Sequence, residues 1–106
     1  MTEPPFALPT LHVGTLTRVE YARYVDDLRA AASDVTVLVR RGPHRTEECA
    51  FDALVTLMDA IDARLALGAQ VLYRFDGCHY RDVLLPLATG LRVVRMQLDE
   101  FAPNET

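Results

Sequence analysis

Apolar and polar positions alternate along residues 70–98, and this two-residue period predicts three antiparallel β-strands in succession. The first two strands, 70–75 and 78–85, are separated only by Asp76 and Gly77. Asp-Gly is the strongest short hairpin signal because both residues of a two-residue turn must tolerate a positive φ. The turn therefore fixes the register of this hairpin.

The third strand depends on where the second one ends. Pro86 lacks a backbone N–H, so it is expected to end the second strand. Residues 88–90 then form a three-residue turn that leads into strand 91–98. With this loop length, Asp82 lies opposite Met96.

Side chains alternate between the faces of a sheet and paired residues share a face, so these registers predict two faces. The first face is expected to be core and comprises Val71, Tyr73, Phe75, Cys78, Tyr80, Leu84, Val94, Met96 and Leu98. The second comprises Leu72, Arg74, His79, Arg81, Val83, Leu85, Val93, Arg95 and Gln97. Asp82 is the exception on the first face. We interpret it as a strand bulge or a sheet rim reached by water, with a partly buried carboxylate held by an arginine as the alternative.

Two amphipathic helices are predicted before the three strands. Thr17 and Glu20 match the capping box, which predicts a helix from Arg18 to about Ala32. Its apolar positions follow the helical period and are Tyr21, Tyr24, Val25, Leu28, Ala31 and Ala32. Thr46 is expected to cap a second helix, from Glu47 to Leu67, with Gly68 as the residue that ends it.

The remaining predicted strands are a short edge strand at residues 10–13 and the β-branched run Val35–Val39. The element order is therefore (β)αβαβββ. Helical crossovers favour parallel neighbours whereas the last three strands are antiparallel, which predicts a mixed sheet. We predict an α+β fold of two layers, with two helices packed on one face of a mixed sheet that ends in a three-stranded antiparallel meander. The length predicts one domain over 1–106, with proline-rich residues 1–10 extended or disordered.

Composition narrows the functional classes. Half of the residues are hydrophobic, yet no apolar run approaches the ~18 residues that span a bilayer. The N-terminus has no secretory pattern, so a cytoplasmic location is expected, with Cys49 and Cys78 reduced. The net charge of −4 disfavours nucleic-acid binding. All cations are arginines, which indicates the GC-rich codon usage of some bacterial genomes.

Several catalytic classes are excluded by the residues that the chain lacks. Without lysine there is no Walker-type phosphate lysine and no Schiff base. Ser33, the only serine, has no flanking glycines and is not a candidate nucleophile. The His and Cys residues show no metal-binding spacing, so neither a metal nor a cofactor is predicted. Cys78 and His79 are adjacent on one strand and should point to opposite faces.

The basic stretch at residues 40–45 precedes a predicted helix and could bind an anion. Because two glutamates follow it directly, we interpret it as a solvated turn. A weaker hypothesis assigns Arg40, Arg41 and Arg45 to contacts with nucleic acid.

The main functional hypothesis concerns the second sheet face. Four cationic or imidazole side chains surround four apolar ones, and the proposed partner-binding residues are Arg74, His79, Arg81, Arg95, Leu72, Val83, Leu85 and Val93. An apolar patch bordered by arginine is typical of a protein-binding surface, although an ordinary solvated face is the alternative. The sequence thus predicts a non-enzymatic accessory, adaptor or inhibitor protein with an acidic protein partner, or a homodimer that uses the same face. The alternative is a small-molecule or redox module that uses Cys78, His79 and Asp82.

Overall fold

A computed structural model describes residues 11–98, so the prediction for residues 1–10 lies outside the described part of the chain. Six strands within these residues form one sheet: β1 Leu11–Leu16, β2 Ser33–Gly42, β3 Arg45–Cys49, β4 Gly68–Phe75, β5 Cys78–Leu87 and β6 Gly90–Gln97. The described part of the chain also forms three helices, α1 Arg18–Ala31, α2 Asp52–Val55 and α3 Leu57–Asp62. The strand order across the sheet is β1-β6-β5-β4-β2-β3, and every neighbouring pair is antiparallel.

The predicted mixed sheet with a layer of two helices is therefore wrong, although the fold retains both α and β elements. The helical connections join strands that are not neighbours. Helix α1 connects β1 to β2, which lie on opposite sides of β6, β5 and β4, while α2 and α3 connect β3 to β4 across β2. The crossovers consequently place no parallel strands side by side, and every ladder is antiparallel.

The second predicted helix, Glu47–Leu67, is also wrong. Its first residues belong to strand β3, because the basic stretch folds into a β-hairpin with a turn at Pro43 and His44. The helical remainder is split at Thr56, whose φ of −104° and ψ of 9° are not helical. Arg64 then adopts a left-handed φ of 62°, which ends the helical segment before Leu67.

Two local predictions are confirmed. Helix α1 begins with the expected capping box, in which the Thr17 hydroxyl accepts from the Glu20 amide at 3.2 Å and the Glu20 carboxylate accepts from the Thr17 amide at 2.9 Å. The Asp76-Gly77 turn has positive φ at both residues, 53° and 81°, and it joins β4 to β5 in the predicted register. Both features depend on residues close together in sequence.

The predicted register between β5 and β6 is wrong by one position. Strand β5 continues through Pro86 to Leu87, and the turn contains two residues, so Asp82 lies opposite Arg95. Pro86 is tolerated because the β4 ladder begins with the pair Ala69 and Leu84, and beyond that point β5 bonds only to β6. Pro86 thus occupies an edge position, where a missing N–H leaves no strand partner unsatisfied.

The one-position shift turns every side chain of β6 to the other face. Leu91, Val93 and Arg95 are buried, whereas Val94 and Met96 lie on the opposite side. We call the face that carries the buried strand residues the covered face. Its core cluster includes Val37, Val39, Val71, Tyr73, Tyr80, Leu84, Leu91 and Val93 from the strands and Tyr21, Tyr24, Val25, Leu28, Leu54 and Leu57 from the helices. Within residues 11–98, no helix has both the length and the apolar character needed to cross a membrane.

Candidate functional site

The other side of the sheet, which we call the open face, receives no buried side chain from the three helices. The strand registers assign to it Val13 and Thr15 of β1, Arg92, Val94 and Met96 of β6, His79, Arg81, Val83 and Leu85 of β5, Gln70, Leu72 and Arg74 of β4, Thr36, Leu38 and Arg40 of β2, and Thr46 and Glu48 of β3. The side chains at these positions are half-buried or exposed.

Apolar side chains cross the open face from one edge strand almost to the other. Val13, Val94 and Val83 are successive cross-strand neighbours on β1, β6 and β5. The apolar stripe consists of these three residues with Leu38, Leu72, Leu85 and Met96. Val13 is 53% exposed and Leu85 is 41% exposed. Large exposed apolar residues that are contiguous, and not scattered singly, mark contact surfaces on soluble proteins.

Two arginines lie within this stripe. Arg81 is placed between Leu72 and Met96, and Arg92 is placed between Thr15 and Leu85. The Arg81 side chain is half-buried, and its Nε is a buried nitrogen that has no hydrogen-bond partner within residues 11–98. An unsatisfied buried donor is uncommon in folded proteins and requires an explanation.

The open face is cationic although the protein is acidic. The described strand positions place Arg40, Arg74, Arg81 and Arg92 on it, opposed by Glu48 alone. Asp34, beside the face, forms an ion pair with Arg74 at 3.5 Å. The chain as a whole carries a net charge of −4, so its acidic residues are concentrated elsewhere.

The structure brings most of the predicted partner-binding residues together, but not all of them. Leu72, Arg74, His79, Arg81, Val83 and Leu85 lie on the open face. Val93 and Arg95 lie on the covered face, where they are 7% and 8% exposed, and their assignment to the partner surface is wrong because of the β6 register. The shift brings Arg92, Val94 and Met96 to the open face in their place. These three residues could have been assigned to the open face by assuming that β5 continues through Pro86 and that the turn contains only residues 88–89.

Asp82 is fully buried at the centre of a polar network on the covered face. Its two carboxylate oxygens accept from Arg95 Nε and Nη2, both at 2.8 Å. The Tyr24 hydroxyl donates to Asp82 at 2.8 Å, and the Tyr73 hydroxyl lies 3.1 Å from each oxygen. The bulge or rim interpretation is therefore wrong, and the alternative of a buried carboxylate held by an arginine is the observed arrangement.

The network raises the pKa values of Tyr24, Tyr73 and Arg95. Burial and the Asp82 charge together raise the pKa of Tyr24 and of Tyr73 well above the usual value for tyrosine. Burial opposes the positive charge of Arg95, but the hydrogen bonds that Arg95 donates to Asp82 outweigh this effect and the pKa of Arg95 is raised. Asp82 and Arg95 thus form a hydrogen-bonded ion pair within the core, and Asp82 has no access to solvent.

The alternative thiol and imidazole site is not assembled. Cys78 lies on the covered face, where the Gln97 amide nitrogen approaches its sulfur at 3.5 Å, whereas the exposed His79 lies on the open face. Both carboxylate oxygens of Asp82 accept hydrogen bonds from Arg95. No group of three or more His, Cys, Asp or Glu side chains within residues 11–98 is arranged to hold a metal ion.

The basic stretch forms the β2–β3 hairpin, and two of its arginines bind within the protein. Arg41 Nε lies 2.9 Å from the Glu47 carboxylate, and this contact raises the pKa of Arg41. Arg40 donates to the carbonyl oxygens of Gly42 at 3.3 Å and Pro43 at 3.2 Å. The guanidinium of Arg40 is thereby fixed beside the open face.

No protein-family model, curated protein or solved structure matches this chain. We therefore infer a function from the surfaces of the molecule itself.

Proposed function

We propose that this protein is a non-enzymatic accessory, adaptor or inhibitor protein of the cytoplasm that binds an acidic protein partner through the open face. The observation that supports the proposal is the Arg81 Nε, a buried donor in the middle of an apolar stripe that finds no acceptor among residues 11–98. Both cysteines are free thiols, which is compatible with a reducing compartment.

A buried donor without an acceptor raises the free energy of the unbound protein, so a partner that supplies an acceptor is favoured. Leaving a buried polar group unpaired costs about 1–3 kcal/mol. A carboxylate placed on Arg81 would remove this cost and form a charge-assisted hydrogen bond, which is roughly twice as strong as a neutral one. Arginine surrounded by apolar residues is also the composition found at the energetic centres of protein interfaces.

The two arginines of the stripe define the spacing that a partner must match. Arg81 pairs with Met96, and Arg92 lies four residues before Met96 on β6. At a rise of about 3.4 Å per residue, the two arginines are about 14 Å apart along the strand direction. A partner segment with carboxylates at about this separation and apolar residues between them complements the open face.

Charge also favours an acidic partner over a second copy of the chain. Two open faces brought together would oppose the cationic side chains of Arg81 and Arg92 to those of the other copy. Like charges that face each other across an interface cost several kcal/mol. Self-association through this face, the homodimer of the sequence-based hypothesis, is accordingly an outcome to be tested and not the proposal.

The experiment compares capture of an acidic partner from the native host by three forms of the protein. Arg81→Glu should abolish capture, since it places a carboxylate where the partner carboxylate binds. The matched control is Arg23→Glu, which makes the same charge change on the exposed side of helix α1. Equal capture by wild type and Arg81→Glu, with both folded by circular dichroism, would refute the proposal, as would sedimentation that shows the wild-type protein paired with itself through Arg81.

A further inference from the structure

A cavity of about 440 Å³ opens at one end of the apolar stripe, beside the turn of the β2–β3 hairpin. Leu38, Val83 and Leu85 of the stripe contribute to its apolar lining. Arg40 and His44 line it from the hairpin side. Its volume is within the range of 300–1,000 Å³ in which proteins bind small ligands, and it has room for one large aromatic side chain. We call it the hairpin cavity.

The polar groups of the hairpin cavity favour an anionic ligand. No acidic side chain from the described part of the chain lines it. Arg40 is held in place by the carbonyl oxygens of Gly42 and Pro43. These two bonds use two of the five N–H donors of a guanidinium, so three remain for a ligand. A preorganised arginine loses less conformational freedom when it binds a carboxylate.

We propose that the hairpin cavity receives one large apolar side chain, preferably aromatic, from a segment of the acidic partner. A neighbouring carboxylate of the same segment binds Arg40. The inference rests on the proposed function, because the cavity shares Leu38, Val83 and Leu85 with the apolar stripe. One extended segment can therefore cover the stripe and fill the cavity. Interfaces concentrate their binding energy where an anchor side chain enters such a pocket.

The protein contains no tryptophan, so the fluorescence of a tryptophan-containing peptide reports binding directly. The probe is an acidic pentapeptide, Asp-Glu-Trp-Glu-Asp, acetylated and amidated at its ends. Titration with the full-length protein should shift the tryptophan emission to the blue and raise its anisotropy, with saturation and a Kd below about 1 mM. The same peptide with lysine in place of each acid should not bind.

Two threonines provide a matched pair of variants. Thr46 lines the cavity, whereas Thr56 lies between α2 and α3 and is not part of the sheet. Both are exposed, and neither is part of the core cluster. Thr46→Phe should fill the cavity and weaken binding of the probe at least tenfold, whereas Thr56→Phe should change the Kd less than twofold. Arg40→Gln leaves the cavity open but removes its cation, and it should weaken binding of the probe severalfold.

Several outcomes would overturn the inference: no saturable binding, equal binding by Thr46→Phe and wild type, or equal binding of the lysine peptide. N-acetyltryptophan bound as tightly as the pentapeptide would instead assign the cavity to a small carboxylate. Phosphatidylserine vesicles bound in a manner sensitive to Thr46→Phe would assign it to a lipid surface. If Arg81→Glu abolishes partner capture while Thr46→Phe changes neither capture nor the probe, the proposed function stands and the cavity has no part in it.

Discussion

Replacement of Asp82 by alanine should destabilise the protein more than any change at its surface. The substitution leaves Arg95, which is 8% exposed, as a buried charge without its bidentate partner. Removing one member of a buried ion pair costs about 3–5 kcal/mol. The hydroxyls of Tyr24 and Tyr73 lose an acceptor in the same variant. Because the total stability of such a domain is about 5–15 kcal/mol, a large fraction is expected to be lost.

Urea unfolding followed by far-ultraviolet circular dichroism measures this loss. The midpoint of Asp82→Ala should fall with little change in the slope of the transition. In thermal unfolding, a loss of 3–5 kcal/mol corresponds to a decrease in Tm of about 12–20 °C for a chain of this size. The control is Arg92→Met, because Arg92 is exposed on the open face and has no ion pair within residues 11–98. It should change the unfolding free energy by no more than about 0.5 kcal/mol.

A double-mutant cycle separates the unpaired charge from the lost packing. Arg95→Met in the Asp82→Ala background removes the buried charge. The double variant should therefore lose less unfolding free energy than the sum of the losses in the two single variants. The reasoning would be refuted if Asp82→Ala lowered the unfolding free energy by less than about 1 kcal/mol, or if the two substitutions were additive.

The other expected outcomes concern alkaline stability and close packing. The pKa values of Tyr24 and Tyr73 are raised in the folded protein, so the folded state retains those protons more tightly than the unfolded chain. Their contribution to stability is complete below the unfolded pKa of about 10 and is lost as the pH rises above it. Tyrosinate absorbance should consequently appear together with unfolding, and replacement of both residues by phenylalanine should make stability above pH 10 less dependent on pH; a separate tyrosinate transition in the folded state would contradict this. Gly90→Ala should cost about 1–3 kcal/mol in thermal unfolding, because the new methyl group overlaps the backbone oxygen of Leu16. Gly14→Ala is its control, since its methyl group would meet no atom closer than 3.9 Å, and equal Tm values for the two variants would contradict the packing argument.

The features that could be predicted from sequence are those encoded by neighbouring residues. The capping box of helix α1 needs only Thr17 and Glu20, and the β4–β5 hairpin needs only the positive φ angles of Asp76 and Gly77. Such local interactions form in the same way whatever the rest of the chain does. The corresponding elements were therefore predicted with their bounds almost correct.

The features that were missed depend on the position of a strand in the sheet. Pro86 remains within β5 because β4 has no residue to pair with it, and that cannot be read from residues 78–87 alone. The apolar spacing of residues 51–65 fits a helix. The residues just before this segment form a strand only because β3 pairs with β2. The error at Pro86 exchanged Arg95 for Arg92 at the candidate site, while Arg81 was placed correctly because its hairpin is fixed locally.

The position of β1 has a consequence for synthesis on the ribosome. Within residues 11–98, strand β1 bonds only to β6, so residues 11–16 find no strand partner in this range until residues 91–96 have emerged from the exit tunnel. Among the strands of residues 11–98, the first to be made is thus completed by the last one, and a ribosome-bound nascent chain that lacks β6 cannot form the six-stranded sheet. Folding of residues 11–98 is for this reason expected to begin only after β6 has been translated.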